Sequence, residues 1–118
     1  MNLSDNPSTL HKPLGKYCHT TLVPADANWL VLSGQVGIDP KGKLATGIRK
    51  QAEQTFRNVL ACLRANGMRK KDLVKTTVYL TDSRFVESYR QARAKIIGDE
   101  TLFTSTCLLY TSDAADDT

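Results

Sequence analysis

Histidine and cysteine, side chains typical of metal sites and of acid–base or nucleophilic chemistry, are few in this sequence, and they are scattered. The chain has two histidines, His11 and His19, and three cysteines, Cys18, Cys62 and Cys107. They show neither the spacing of a metal-ligand cluster nor a CxxC pair, so we expect no bound metal. An odd number of unpaired cysteines also argues against a disulfide framework and predicts a reducing compartment, the cytoplasm.

Tyr17 and His19 are two residues apart on a predicted strand, so their side chains share one face. His19 can enter a cleft on that face, but a surface or interface position is the interpretation that we favour. Cys18 points to the opposite face, and Cys62 lies beside Leu63 on a predicted helix. Both cysteines are predicted to pack as small apolar side chains.

A glycine-rich stretch, residues 34–47, holds four glycines and Pro40. It is not a phosphate-binding loop, because no GKS or GKT follows the glycines. Long irregular loops are uncommon in compact domains unless they shape a site, so we expect this one to border a binding region.

The elements that must position these residues alternate between strands and helices. Residues 17–23 and 29–33 read as a hairpin of strands after a polar arm, and residues 72–80 and 102–110 as further strands. Residues 49–66 form an amphipathic pattern ended by Gly67, and residues 84–97 form a second one after a turn at residues 81–83. The apolar stripes of the two helices consist of Ala52, Phe56, Val59, Leu60 and Leu63, and of Phe85, Tyr89, Ala92 and Ile96.

This order, β-β-α-β-α-β, predicts an α+β fold with both helices on one face of a mixed sheet. The opposite face would carry residues such as Val31, Thr77 and Tyr79, and two helices cannot cover it. Association with further copies of the chain is the simplest way to bury that face.

Length and composition describe one folded domain: 118 residues, 41% hydrophobic and 24% charged. No apolar run is long enough to span a bilayer, and the N-terminus lacks the pattern of a secretory signal. The net charge is +4, and residues 1–106 hold 16 bases and only 9 of the 12 acids. This surplus can attract an anionic substrate or nucleic acid, but the bases are dispersed, so we favour solvated helix surfaces and expect no nucleic-acid partner.

Four blocks in register resemble the reactive intermediate deaminase (Rid, or YjgF-like) family: residues 15–17 (GKY), 32–37 (LSGQVG), 51–60 (QAEQTFRNVL) and 72–82 (DLVKTTVYLTD). The resemblance implies a chorismate-mutase-like fold of the bacillus type and a homotrimer with small-molecule clefts between subunits. It also implies hydrolysis of reactive enamines and imines, such as 2-aminoacrylate, to 2-keto acids and ammonia, with neither metal nor organic cofactor.

The resemblance also implies site residues. Tyr17 matches a tyrosine that lines the cleft, where its phenol orients the attacking water or donates to a carboxylate, while Ser33 and Gly34 match a segment that faces the ligand. In the deaminating branch an arginine before Ser-Thr or Ser-Cys clamps the substrate carboxylate. Here Thr104 takes that place, so a bidentate clamp is lost, but Thr104 and Thr106 of the same strand are still expected to contact the ligand. A non-catalytic ligand-binding protein on the same fold therefore stays open beside the deaminase, and an RNA-interacting protein is the third alternative.

The last residues depart from the family pattern. Residues 107–118 (CLLYTSDAADDT) resemble the translation of a transposase-type sequencing adapter. We therefore expect one Rid-like domain in residues 1–106, lacking its C-terminal strand, followed by a non-native tail. The alternative is a genuine divergent tail whose first residues complete a strand.

Overall fold

The computed structural model describes residues 2–109, and Tyr110, with which the last predicted strand ends, lies outside them. The elements in chain order are β1 (Leu3–Asp5), β2 (Thr20–Leu22), α1 (Ile48–Ala65), β3 (Lys75–Leu80), α2 (Val86–Ile96) and β4 (Thr104–Leu109). The predicted α+β class is confirmed. The order of element types also matches, but its first strand comes from the N-terminal arm, and residues 29–33 form no strand. None of the helices in residues 2–109 is long and apolar enough to cross a bilayer.

The predicted hairpin is wrong. β2 pairs antiparallel with β1, which comes from the N-terminal arm, and residues 29–33 lie in a segment without regular secondary structure. Polar side chains hold the arm on β2, since Thr20 donates to the Asp5 carbonyl at 3.1 Å and the Asn6 side chain accepts from the His19 amide at 2.8 Å. The strand pairs also form two separate sheets, β1–β2 and the parallel pair β3–β4, instead of one mixed sheet.

Both helices begin and end close to their predicted bounds. α1 ends where Gly67 adopts a positive φ of 70°, and the Met68 amide donates back to the Leu63 carbonyl at 2.9 Å. This bond satisfies a carbonyl that the helix end leaves free, the role predicted for Gly67. Before α2, the Asp82 carboxylate accepts from the Arg84 amide at 2.9 Å and from its guanidinium, which holds the pKa of Asp82 at about 2.

The core forms between the two helices and the residues that directly precede β3 and β4. Phe56 of α1, Ala92 of α2, and Ile97 and Phe103 after it form one buried cluster, and the predicted stripe residues Ala52, Leu60, Tyr89 and Ile96 pack around it. β3 alternates as predicted, with Thr76, Val78 and Leu80 turned inward and Lys75, Thr77 and Tyr79 outward. The outer face of β3–β4 is therefore left uncovered by the helices.

A buried carboxylate ties the helices together. Glu53 of α1 is 6% exposed and accepts from Lys95 of α2 at 3.1 Å and from Arg49 at 3.2 Å. The hydrogen bond from Lys95 lowers the pKa of Glu53, and the bond from Arg49 adds to it, whereas burial opposes both. A charge at this depth is tolerable only because it is paired and hydrogen-bonded.

Candidate functional site

A cleft of about 360 Å³ opens between α2, β4 and residues 14–17. The 14–17 segment contributes Tyr17 and Lys16, while β4 contributes Ser105 and Cys107 from its helix-facing side. A second, more open groove shares residues 15–17 with the cleft and follows the N-terminal arm. The remaining side chains that border the cleft come from Leu14, from α2 and from the turn after it: Val86, Tyr89, Arg90, Arg93, Ala94 and Asp99.

Tyr17 lines this cleft and can donate a hydrogen bond into it. Its phenol oxygen accepts from the Leu14 amide at 3.2 Å, which leaves the hydroxyl hydrogen free to donate to a ligand. His19 meets the Tyr17 ring edge-on, with centroids 6.0 Å apart, but its Nε2 lies 2.8 Å from the His11 carbonyl. His19 therefore fastens the arm, in line with the structural role favoured above. Cys18 is 2% exposed and packs in the interior, as predicted.

Two hydroxyls lie on the floor of the cleft. Tyr89 is half-buried beside Ser105, whose Oγ accepts from Thr76 at 3.2 Å. Burial raises the pKa of the Tyr89 phenol, while the Ser105 hydroxyl and the charges of Arg93 and Arg90 oppose the rise. Tyr89 is thus protonated at neutral pH and can act as a hydrogen-bond donor.

Two arginines of α2 reach the cleft, and they have different roles. Arg93 is 5% exposed and donates to the carbonyls of Gly98 at 3.1 Å and Thr101 at 2.7 Å. Its guanidinium also lies over the Phe103 ring, 4.8 Å from the centroid, and burial lowers its pKa. Arg93 therefore positions the turn that leads into β4.

Arg90 is exposed, and its guanidinium points toward residues 15–17. Its Nη2 lies 4.0 Å from the place that a Cβ on Gly15 would occupy. Within residues 2–109 the guanidinium makes neither a hydrogen bond nor an ion pair. Lys16, Arg90 and Arg93 against Asp99 give the cleft a positive balance, which favours an anionic ligand.

The other predicted site residues lie elsewhere. Ser33 and Gly34 are exposed in a segment without regular secondary structure and do not border the cleft. Thr104 donates its hydroxyl to the Val74 carbonyl at 2.8 Å, which fastens the start of β4 to β3. Thr106 is exposed on the opposite face of β4, in register with Thr77. The single chain thus brings Tyr17 together with Ser105 and not with these four residues, whose ligand contacts stay predictions.

Sequence reasoning missed Arg90, Arg93 and Ser105. A signal was present, because Val86, Arg90, Arg93 and Ile97 recur at helical spacing next to the apolar stripe of α2. Two arginines on a face beside the core stripe indicate a partly enclosed basic surface. The described residues 2–109 contain no group of three or more metal-ligating side chains.

The fold and this cleft define a small α+β protein with a basic pocket at the junction of a helix and a strand. Residues 9–109 match the family model described as Endoribonuclease L-PSP. The chain belongs to this family, which is the Rid/YjgF family named by the resemblance above.

The relatives agree with that membership. A RutC family protein of Aquifex aeolicus is 41% identical over 71 residues, which cover 59% of this chain and 54% of that protein. A 2-iminobutanoate/2-iminopropanoate deaminase of Salmonella typhimurium is 43% identical over 54 residues, or 45% of this chain and 42% of that enzyme. The chain thus spans about half the length of these curated relatives.

Among solved structures, RidA from an Antarctic Psychrobacter superimposes with a TM-score of 0.68 at 28% identity, over 87% of this chain and 81% of that one. This similarity confirms the Rid-type, chorismate-mutase-like fold predicted from the sequence.

Proposed function

We propose that this protein binds small reactive enamine or imine acids and hydrolyses them to 2-keto acids and ammonia. The observation that carries the proposal is the position of Tyr17, the family-matched tyrosine, in a basic cleft of small-molecule size. Relatives named 2-iminobutanoate/2-iminopropanoate deaminase support the same chemistry.

The reaction needs little from the protein. An enamine first becomes an imine, as a proton moves from its nitrogen to its terminal carbon. Water then adds its oxygen to the imine carbon, and its two hydrogens pass to the nitrogen. The carbon–nitrogen bond breaks, ammonia leaves, and the carbon becomes a carbonyl. Tyr17 can hold the water or the carboxylate through its free hydroxyl hydrogen. Tyr89 and Ser105 offer further neutral hydrogen bonds on the floor of the cleft.

Thr104 stands where the deaminating relatives have an arginine, and we expect this difference to lower the rate of deamination. The Thr104 hydroxyl donates to the Val74 carbonyl, and threonine has no charged fork for a carboxylate. A charge-assisted hydrogen bond contributes about 1.5–3 kcal/mol, which corresponds to roughly one to two decades in rate.

The test is a deaminase assay with 2-aminoacrylate generated in place, with keto acid and ammonia measured together. We expect turnover below that of an arginine-bearing relative by about one to two decades. Turnover equal to that relative would contradict the role assigned to Thr104. If neither product rises above the uncatalysed rate, the protein is the non-catalytic ligand-binding alternative.

For assembly we propose a cytoplasmic homotrimer with clefts between subunits. The support is the outer face of β3–β4, where Tyr79 and Leu108 pair in register and are 67% and 45% exposed. In such an assembly Ser33, Gly34 and Thr106, which are exposed in the single chain, would be available to a cleft formed with a neighbouring copy.

A further inference from the structure

We propose that Arg90 of α2 binds the carboxylate of the ligand in the Tyr17 cleft, from the side of β4 opposite to position 104. The inference rests on the proposed function for its ligand class, a small 2-keto or 2-imino acid.

The position of Arg90 fits this role. Its guanidinium reaches residues 15–17, the segment that carries the Tyr17 phenol, and both side chains border the same cleft. A Cβ on Gly15 would lie 3.7 Å from the Tyr17 ring and 4.0 Å from the Arg90 Nη2, so the two side chains flank this glycine. A bound carboxylate can therefore accept from the planar fork of Arg90 and from the Tyr17 hydroxyl at once.

The other charges near the cleft are less suited to the ligand. Arg93 spends its donors on the carbonyls of Gly98 and Thr101 and lies over Phe103, so recruiting it would unfasten the turn before β4. Lys16 is exposed and offers a flexible point charge without a bidentate fork. Asp99 also borders the cleft, and its charge acts on Arg93. Of the two guanidinium groups that border the cleft, Arg90 is therefore the one with donors left for an anion.

The size of the cleft limits the ligand. A volume of about 360 Å³ is at the small end of ligand pockets and suits an acid of a few carbons. The apolar side chains of Leu14, Val86 and Ala94 can receive a short alkyl group, while the charged end faces Arg90. Pyruvate and 2-oxobutanoate are the simplest probes of this shape.

The experiment titrates pyruvate into the 118-residue protein by two-dimensional amide NMR, with pyruvamide as an uncharged probe of the same size. We expect pyruvate to shift the amides of residues 15–17 and of α2, and to bind more tightly than pyruvamide. Arg90→Gln should weaken pyruvate binding by about tenfold to a hundredfold and leave pyruvamide unchanged. Arg90→Lys, which keeps the charge without the fork, should lie between them.

The matched control is Arg64→Gln, which removes the same charge from an exposed site in the last turn of α1. It should bind pyruvate as the parent does. Equal pyruvate binding by Arg90→Gln and the parent would overturn the inference and leave the proposed function standing.

If Arg90→Gln does not fold, the pyruvate titration of the parent protein alone tests the inference. Shifts confined to the amides of Ser33, Gly34 and Thr106 would overturn the inference, as would the absence of pyruvate binding. The deaminase assay then judges the proposed function separately, because it detects turnover whether or not the product binds.

Discussion

At the residue scale, Tyr17 contributes a hydroxyl whose oxygen is already occupied by the Leu14 amide. Tyr17→Phe removes this hydroxyl and keeps the ring against His19. We expect 2-keto acid binding to weaken by about 0.5–1.5 kcal/mol, the contribution of one neutral hydrogen bond, with the thermal midpoint nearly unchanged. Calorimetric titration with pyruvate measures the first quantity, and scanning calorimetry the second.

Tyr79→Phe is the control, because it removes an equivalent hydroxyl from the outer face of β3. It should bind the ligand as the parent does. If Tyr17→Phe keeps full affinity while Tyr79→Phe loses it, the ligand lies on the outer face and the cleft assignment is wrong.

Of the residues that line the cleft, Tyr17 could be predicted from the sequence, whereas Arg90 and Ser105 could not. The position of Tyr17 beside a cleft was accessible through the family resemblance, because the GKY block is local in sequence. Arg90 and Ser105 were not, since they meet Tyr17 only when α2 and β4 pack beside residues 14–17. That contact joins segments more than 70 residues apart in the sequence, as the numbering shows, and local periodicity carries no information about it.

At the element scale, Glu53 couples the packing of α1 and α2 to pH. Its folded pKa lies below 4.5, so the stabilisation from its ion pairs is complete above about pH 4.5 and decreases as the pH falls through the folded pKa. Glu53→Gln should lower the free energy of unfolding at pH 7 by about 1–2 kcal/mol, since Lys95 and Arg49 are half-exposed and partly screened. It should also flatten the loss of stability in acid.

Urea unfolding between pH 3 and pH 7 measures both effects. Glu100→Gln is the control, because the ion pair of Glu100 with Lys70 is long, at 3.7 Å, and both side chains are exposed to solvent. It should change the unfolding free energy by less than about 0.5 kcal/mol at every pH. An acid dependence of Glu53→Gln that matches the parent would show that another carboxylate controls this range.

The long glycine-rich loop is held against α1 by a close backbone approach. A Cβ on Gly37 would lie 2.6 Å from the Gln51 Cα, a contact that backbone atoms cannot relieve cheaply. The Asn58 side chain also donates to the carbonyls of Val36 and Ile38, at 3.0 and 2.9 Å. Gly37→Ala should therefore destabilise the fold by about 1–3 kcal/mol.

Gly34→Ala tests the same chemical change three residues earlier, where the added methyl group meets open space. It should unfold at the same urea concentration as the parent. Equal stability of the two variants would mean that the loop moves freely against α1.

The elements themselves were predictable to different degrees. α1 and α2 were found within about two residues because each has an apolar stripe and a chemically marked end, Gly67 and Asp82. The hairpin was mistaken because composition identifies extended segments but not their partners. Here the polar side chains of Thr20 and Asn6 decide the pairing of β2 with the arm.

At the scale of the whole molecule, the domain boundary at residue 106 stays a prediction. β4 and the family match both reach residue 109, while residues 110–118 lie outside the described part of the chain. Sequencing the gene by a method free of adapters is the direct test. The same codons followed by a stop in genomic DNA would contradict the assignment of residues 107–118 to an adapter.

The outer face of β3–β4 gives the last prediction, a homotrimer of the natural protein. Lys75, Thr77 and Tyr79 of β3 pair in register with residues of β4 on a face that the helices leave bare. Trp29 and Val31 are also exposed, at 67% and 85%, and exposed apolar surface of this extent favours burial against further copies. Tyr79→Glu would place a charge in that interface, so we expect it to convert the trimer into monomers of one third its mass. Ala61→Glu, which adds the same charge on the exposed surface of α1, should leave the trimer intact. Size-exclusion chromatography with light scattering distinguishes these masses, and a monodisperse monomer of the unmodified protein would refute the trimer.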